Sequence, residues 1–222
     1  MKTWQMNIEK KLSQPDAPPV FNRMLLARIA RSSNNGNRIP PASLTRWINH
    51  ARQRSKMQAI IRGLYLNWFR SRPGQSADAV QYLRRDAVVS LNTVLAEAGV
   101  LNNPSHTITA IVPFDRSNPK PKLGRVTTQT GIFHFFGLPR EVLEAGRAED
   151  RIDGDTRWEH IRATPEKALV DWLYLSTSPY SHRTAPNPVD IDMELLDQPR
   201  LRRLAKAAGL APLIDKWIKR YD

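Results

Sequence analysis

Thr45, Arg46, Asn49, His50, Arg52 and Gln53 fall within nine residues, each can donate a hydrogen bond, and none is acidic. On a helix they occupy the side opposite Leu44, Trp47, Ile48 and Ala51, which follow the i, i+3, i+4, i+7 spacing of a buried stripe. A DNA major groove admits one helix, and Arg, Asn, Gln, Ser and Thr are side chains that read base edges there. Arg46, Asn49, His50 and Gln53 are therefore the candidates for base contact. Ser43 and Thr45 lie near the helix start, where free backbone N–H groups favour phosphate. Arg52, Arg54, Lys56 and Arg62 are the candidates for backbone phosphates, which supply salt-dependent affinity while base contacts supply selectivity. The same pattern also describes a small helical domain whose polar helix merely faces water. RNA fits less well, because no aromatic-rich stacking motif lies on an exposed sheet.

The flanking segments supply elements able to position that face. Residues 20–31 place Phe21, Met24, Leu25 and Ile29 at helical spacing, with Arg23, Arg28 and Arg31 between them. Ser32-Ser33-Asn34-Asn35-Gly36-Asn37 breaks the pattern with turn formers. Pro40-Pro41-Ala42-Ser43 opens the next helix, Pro in its first turn and Ser43 as a cap. The period then changes from 3.6 to 2. Met57, Ala59 and Ile61 alternate with Lys56, Gln58 and Ile60, and Leu64, Leu66 and Trp68 alternate with Tyr65 and Asn67. Between the two runs stands Arg62-Gly63, and Gly supplies the positive φ of a two-residue hairpin turn. Helix, turn, polar-faced helix and basic hairpin make a winged helix-turn-helix with Arg62 at the wing tip. Residues 1–11 add a preceding helix and residues 13–19 a proline-rich linker. The break Ser71-Arg72-Pro73-Gly74-Gln75-Ser76 divides a DNA-binding domain over 1–72 from a C-terminal domain over 77–222.

Charge follows the same division. The chain has 222 residues and a formal net charge of +13. Residues 1–75 hold 14 Lys/Arg against only Glu9 and Asp16, whereas the remainder holds 20 Lys/Arg against 19 Asp/Glu. A polyanion-binding module joined to a nearly neutral domain accounts for this asymmetry; a basic solvated extension is the plainer alternative. The chain contains no Cys, which excludes disulfides, thiol nucleophiles, Cys-based zinc sites and cysteinyl iron–sulfur clusters and is compatible with a reducing cytoplasm. No signal peptide is expected at residues 1–11. The apolar run 131–138 falls far short of the roughly 20 residues of a membrane helix, so no membrane partner is expected.

For the second domain the patterns predict a helix over 79–98 ended by Gly99, a strand over 106–112 with Ile108, Ala110 and Val112 inward, and a β segment over 125–136 turning at Thr130-Gly131. A short helix over 140–147 and a polar loop over 150–155 follow. A helix over 163–175 has Thr164 as cap, Pro165 at its first position and a buried stripe of Ala168, Leu169, Trp172 and Leu173; further helices fall over 201–208 and 212–221. The overall class is α+β. Enzymatic chemistry is not expected. The five His at positions 50, 106, 134, 160 and 182 show no metal-ligand spacing. Trp158-Glu159-His160 and Ser181-His182 lack recognisable partners. Glu166 and Lys167 diverge by about 100° on a helix, so helix-end electrostatics account for them better than acid–base work with Asp171. Asp190, Asp192 and Glu194 read as solvated acids before a helix. Gly99, Gly124 and Gly131 form no phosphate-cradling loop. No catalytic residue, metal or cofactor follows.

Asp86-Ala87-Val88-Val89-Ser90-Leu91-Asn92-Thr93-Val94-Leu95, closing at Ala98-Gly99-Val100, resembles a motif of the AbiE-type antitoxin family. The segments 108–112, 131–136 and 163–174 follow in the family's order, and Ile61-Arg62-Gly63-Leu64-Tyr65 is similar to its N-terminal pattern. The resemblance spans roughly residues 20–215. It implies a cytoplasmic antitoxin of a type IV toxin–antitoxin, or abortive-infection, system. Such a protein represses its own promoter by binding inverted repeats in double-stranded DNA, and is paired with a nucleotidyltransferase-like toxin that it counteracts without a stable complex. The alternatives are an interaction protein whose C-terminal domain binds a toxin or other partner directly, and a nucleic-acid-processing enzyme using Glu166, Lys167 or Asp171.

Overall fold

A computed structural model of the chain describes residues 2–34, 36–115, 117, 121–145, 161–179, 181 and 183–219. It divides into two units, Met1–Ala79 with Thr128–Thr130, and Val80–Thr127 with Gly131–Asp222. The class is mixed α+β.

In the first unit the order is α1 (Thr3–Leu12), β1 (Val20–Asn22), α2 (Arg23–Ser32), α3 (Pro41–Gln53), β2 (Met57–Ile61) and β3 (Leu64–Asn67). The strands form an antiparallel sheet in the order β1-β3-β2. The expected helix over 20–31 starts three residues later. Val20 pairs with Leu66 and Phe21 with Tyr65, so these two apolar residues complete a sheet instead of a helix face. Asn22 then caps α2, its Oδ1 accepting from Leu25 N–H at 2.9 Å. The new start rotates the buried face onto Leu26 and Ala30 and leaves Met24 facing solvent.

Residues 13–19 are not a linker. Asn67 Nδ2 donates to the Leu12 and Pro18 carbonyls, both at 3.0 Å, and Asn67 N–H donates to Pro19 at 2.8 Å. Arg70 donates to the Pro15 carbonyl at 3.0 Å. Gly74 lies so close that a Cβ there would stand 2.1 Å from the Pro19 oxygen. Proline has no N–H to donate, so this stretch of turns and bends is held through its carbonyls, which accept from the Asn67 backbone and from the Asn67 and Arg70 side chains.

The core gathers Trp4, Ile8 and Leu12 of α1 with Phe21, Leu26, Leu44, Trp47, Ile48, Ala51 and Met57. The predicted α3 stripe is buried in full, and Trp47 stacks on Phe69 at 6.0 Å between ring centroids. The hairpin register slips between Ala59 and Ile61, a bulge that buries Ile60 and turns Ile61 outward, the reverse of simple alternation.

The first unit ends in a 3₁₀ turn at Ser76–Ala79, and the second opens with α4 (Val80–Leu83), then β4 (Val88–Val89) and α5 (Asn92–Glu97). The single helix expected over 79–98 is thus broken. Asp86 and Leu91 take φ of +60° and +61°, and the β-branched pair Val88-Val89 joins a sheet against Ile111 and Ala110. An apolar run buried on all sides fits a strand as well as a helix, so periodicity alone does not separate them. β5 (Ile108–Phe114), β6 (Gly124–Thr128) and β7 (Gly131–Pro139) complete the sheet in the order β4-β5-β7-β6, with β5 and β7 parallel. On β5 the residues from 109 to 112 are all buried rather than alternating, as suits an inner strand covered on both faces.

α6 (Arg140–Glu144) is the short helix, ending before residue 147. α7 (Pro165–Thr177) is capped by Thr164, whose Oγ1 accepts from Lys167 N–H at 3.3 Å. It is buried well beyond its expected stripe. α8 (Gln198–Ala207) is capped by Asp197, and α9 (Ala211–Ile218) follows. Asn35, Arg147, the loop over 150–155, Trp158-Glu159-His160, His182 and Tyr221 lie outside the described residues. No described helix is long and apolar enough to cross a membrane.

Candidate nucleic-acid interface

α3 is held from below by its buried stripe, and burying Leu44 and Ile48 contributes on the order of 1.5–3 kcal/mol each. At about 100° per residue, Arg46, Asn49 and Gln53 lie within about 60° of one another and directly opposite that stripe. All three are exposed, as are Thr45, His50, Arg52, Arg54, Lys56 and Arg62. The flanks diverge. Ser43, Arg46 and His50 line a groove of about 260 Å³ with Lys2, Trp4 and Trp47. Asn49, Arg52 and Gln53 line another of about 590 Å³ with Ser55, Gln58 and Trp68. The residues from α3 therefore form one outward ridge with two margins.

Three of the expected site residues have other local duties. Ser43 is not the cap: Pro40 holds the N-cap position, Pro41 is the first helical residue, and Ser43 N–H already donates to the Pro40 carbonyl at 3.0 Å. Proline fixes the entry into the helix and places Ser43 inside the first turn. Thr45 Oγ1 donates to the Pro41 carbonyl at 2.9 Å and accepts from Arg23 Nη2 at 2.8 Å, so it anchors α2 to α3. Arg54 is paired with Glu9 of α1 at 2.6 Å.

Arg62 stands exposed in the two-residue turn, where Gly63 has φ +84°. Gly63's carbonyl accepts from Arg23 N–H at 3.0 Å, which fixes the hairpin tip to the start of α2. Along α2, from its first residue to its last turn, runs a basic groove of about 460 Å³, lined by Arg23, Arg28, Arg31 and Arg38 with Pro41 and Leu44. Sequence reading placed Arg23, Arg28 and Arg31 on a helix, but their convergence with Arg38 depends on how the chain turns over 32–37. Arg31 Nε donates to the Gly36 carbonyl at 3.0 Å and closes that turn.

The residues weighed for catalysis sit elsewhere. Lys167 and Asp171, i and i+4 on α7, are 2% and 0% exposed and form an ion pair. Ser90 Oγ donates to Asp171 Oδ2 at 2.9 Å, and the Val142 carbonyl accepts from Lys167 Nζ at 3.4 Å. Burial pushes the Asp171 carboxyl up, while the Lys167 ammonium and the hydrogen bonds from Lys167 and Ser90 pull it down. Lys167 thus serves an internal pair and not the helix end. Glu166 accepts from Asp197 N–H at 3.1 Å and approaches Arg200, tying α7 to the start of α8. Asp190 accepts from Asn103, and Asp192 caps the short turn Met193–Leu195. Among the described residues no group of three or more His, Cys, Asp or Glu is arranged to hold a metal ion. The i, i+4 spacing of Lys167 and Asp171 was a visible signal for the pair; the involvement of Ser90, 81 residues away, was not.

No family model and no curated protein matches the chain. Its fold is similar to that in the crystal structure of RV2827C protein from Mycobacterium tuberculosis, with a TM-score of 0.50 and 16% identity, over 100% of this chain and 83% of that one.

Proposed function

We propose that the first unit is a winged helix-turn-helix that binds double-stranded DNA, and that the chain is a transcriptional autorepressor acting as the antitoxin of a type IV toxin–antitoxin system. The observation that carries the DNA reading is the exposed face of α3: Arg46, Asn49, His50, Arg52 and Gln53 stand outward without an acidic neighbour on the helix, opposite a stripe that is buried in full. The element order supports it, with α2 and α3 joined by a turn and followed by the β2–β3 hairpin that carries Arg62.

In this reading α3 enters the major groove. Arg46, Asn49 and Gln53 meet base edges, and Arg52, Lys56 and Arg62 meet phosphates on either side. The basic groove of Arg28 and Arg38 beside the helix start extends the phosphate footprint. Two copies on an inverted repeat cover a promoter and exclude polymerase sterically, in the cytoplasm. The antitoxin role rests on the family resemblance of residues 20–215 and implies a nucleotidyltransferase-like toxin as functional partner.

Selection of duplexes from a random pool by the purified full chain tests the DNA reading. Recovery of a common inverted repeat, bound with steep salt dependence, is the expected result. Recovery of no shared sequence, or binding indifferent to salt, refutes it.

A further inference from the structure

The second unit holds a cavity of about 970 Å³, near the upper end of the range for small-molecule sites. Its walls are largely aromatic and aliphatic, with Phe114, Leu123, Phe136 and Trp172 prominent. Gly137 makes this wall possible, since a Cβ there would stand 2.8 Å from Leu123 Cδ1 and 3.3 Å from the Phe114 ring.

Among the described residues one cation, Arg183, faces this apolar space. The Arg183 guanidinium lies over the rings of Trp172 and Phe136, at 4.3 and 4.7 Å from their centroids. Ring contacts occupy the faces of a guanidinium and leave its in-plane N–H groups for hydrogen bonding. One of these, from Nη2, goes to Asn92 Oδ1, a neutral acceptor. The Nε–H meets no acceptor among the described residues, and none of their carboxylates pairs with Arg183. Burial pushes Arg183 down to about 10, so it is still a cation at neutral pH. A desolvated charge with no counter-ion among the described residues is unfavourable there, and an entering anion relieves it. His134, 4.1 Å from the Phe136 ring, is held toward its neutral form by burial and by the Arg183 and Arg125 charges, so it offers a hydrogen bond without a second charge. No described lining residue is acidic.

We propose that this cavity binds a small organic carboxylate with a flat apolar body, its carboxylate hydrogen-bonded in the plane of the Arg183 guanidinium and its body against Trp172 and Phe136. Among the described lining residues Arg183 is the one guanidinium and there is no Lys, a set that suits a monoanion, whereas a phosphate ester would call for further cations. The inference is independent of the reading of the first unit.

The full chain is titrated with 1-naphthoate and, in parallel, with 1-naphthamide, following tryptophan fluorescence and calorimetric heat. Saturable binding of the carboxylate, with the amide about tenfold weaker or more, is expected. Arg183→Gln removes the preference by weakening the carboxylate alone. Equal binding of the two probes, or saturation by neither up to about 1 mM, overturns the proposal. So does an Arg183→Gln chain, folded by circular dichroism, that binds 1-naphthoate like the unmodified protein. Where that variant does not fold, the comparison of the two probes on the unmodified chain decides alone.

Discussion

Replacing Arg46 and Asn49 on one side, and Arg62 on the other, separates base reading from phosphate binding. Arg46 and Asn49 lie within about 60° of each other on the outward ridge of α3, so each addresses a base edge when the helix enters a major groove. A well-made bidentate base contact is worth about 1–3 kcal/mol, or roughly 5- to 150-fold in affinity. Arg46→Ala and Asn49→Ala should each weaken the selected duplex by that factor and leave a scrambled duplex nearly unchanged. Arg62 sits in the exposed hairpin turn and neutralises one phosphate. Its loss lowers the slope of log K against log salt by about 0.9, so between 50 and 200 mM salt the deficit of Arg62→Ala shrinks by roughly three- to fourfold on either duplex. Arg54 is the internal control. It is already paired with Glu9 at 2.6 Å with its side chain 37% exposed. Arg54→Ala should therefore change the slope by less than Arg62→Ala does. Fluorescence anisotropy with both duplexes across that salt range reads all four variants. Arg46 and Asn49 variants that bind the selected duplex like the unmodified chain, or an Arg62 variant that loses only the selected duplex, refute the assignment.

Three further outcomes follow from the packing. Asp171→Asn leaves the Lys167 ammonium buried without its counter-ion and should cost about 3–5 kcal/mol in urea unfolding, whereas Lys167→Met with Asp171→Leu should recover most of that loss; a double variant no more stable than Asp171→Asn contradicts the pairing. Gly74→Ala drives a Cβ against the Pro19 oxygen at 2.1 Å and should prevent normal folding, while Gly63→Ala, strained by φ +84° in open space, should cost only about 1 kcal/mol by thermal melting. His134 has its folded value lowered below 6.5 by burial and by Arg183 and Arg125, so the unfolded chain binds more protons in the window below that value. Its contribution to stability is present in full above pH 6.5 and falls as pH drops toward the folded value; His134→Phe should flatten that part of the stability–pH curve, and an unchanged curve rules the assignment out.

Sequence alone determined the parts of the first unit that depend on local periodicity. The stripe Leu44, Trp47, Ile48 and Ala51 reports burial because a helix facing a core repeats every 3.6 residues, and its donor-rich complement was legible for the same reason. The Arg62-Gly63 turn was equally plain, since only a residue tolerant of positive φ closes so short a hairpin. Where long-range pairing competes with local propensity, the reading shifted. Val20-Phe21 suits either a helix face or a strand, and Leu66 and Tyr65 across the sheet decide for the strand. Val88-Val89 is drawn from an apparent helix to Ile111 and Ala110. The same limit holds for side chains that meet only in space. Arg38 joins Arg28 through a turn, Ser90 reaches Asp171 across 81 residues, and Arg183 finds Asn92 91 residues back. No spacing in the chain encodes these meetings, because they are fixed by which elements bury their apolar faces together.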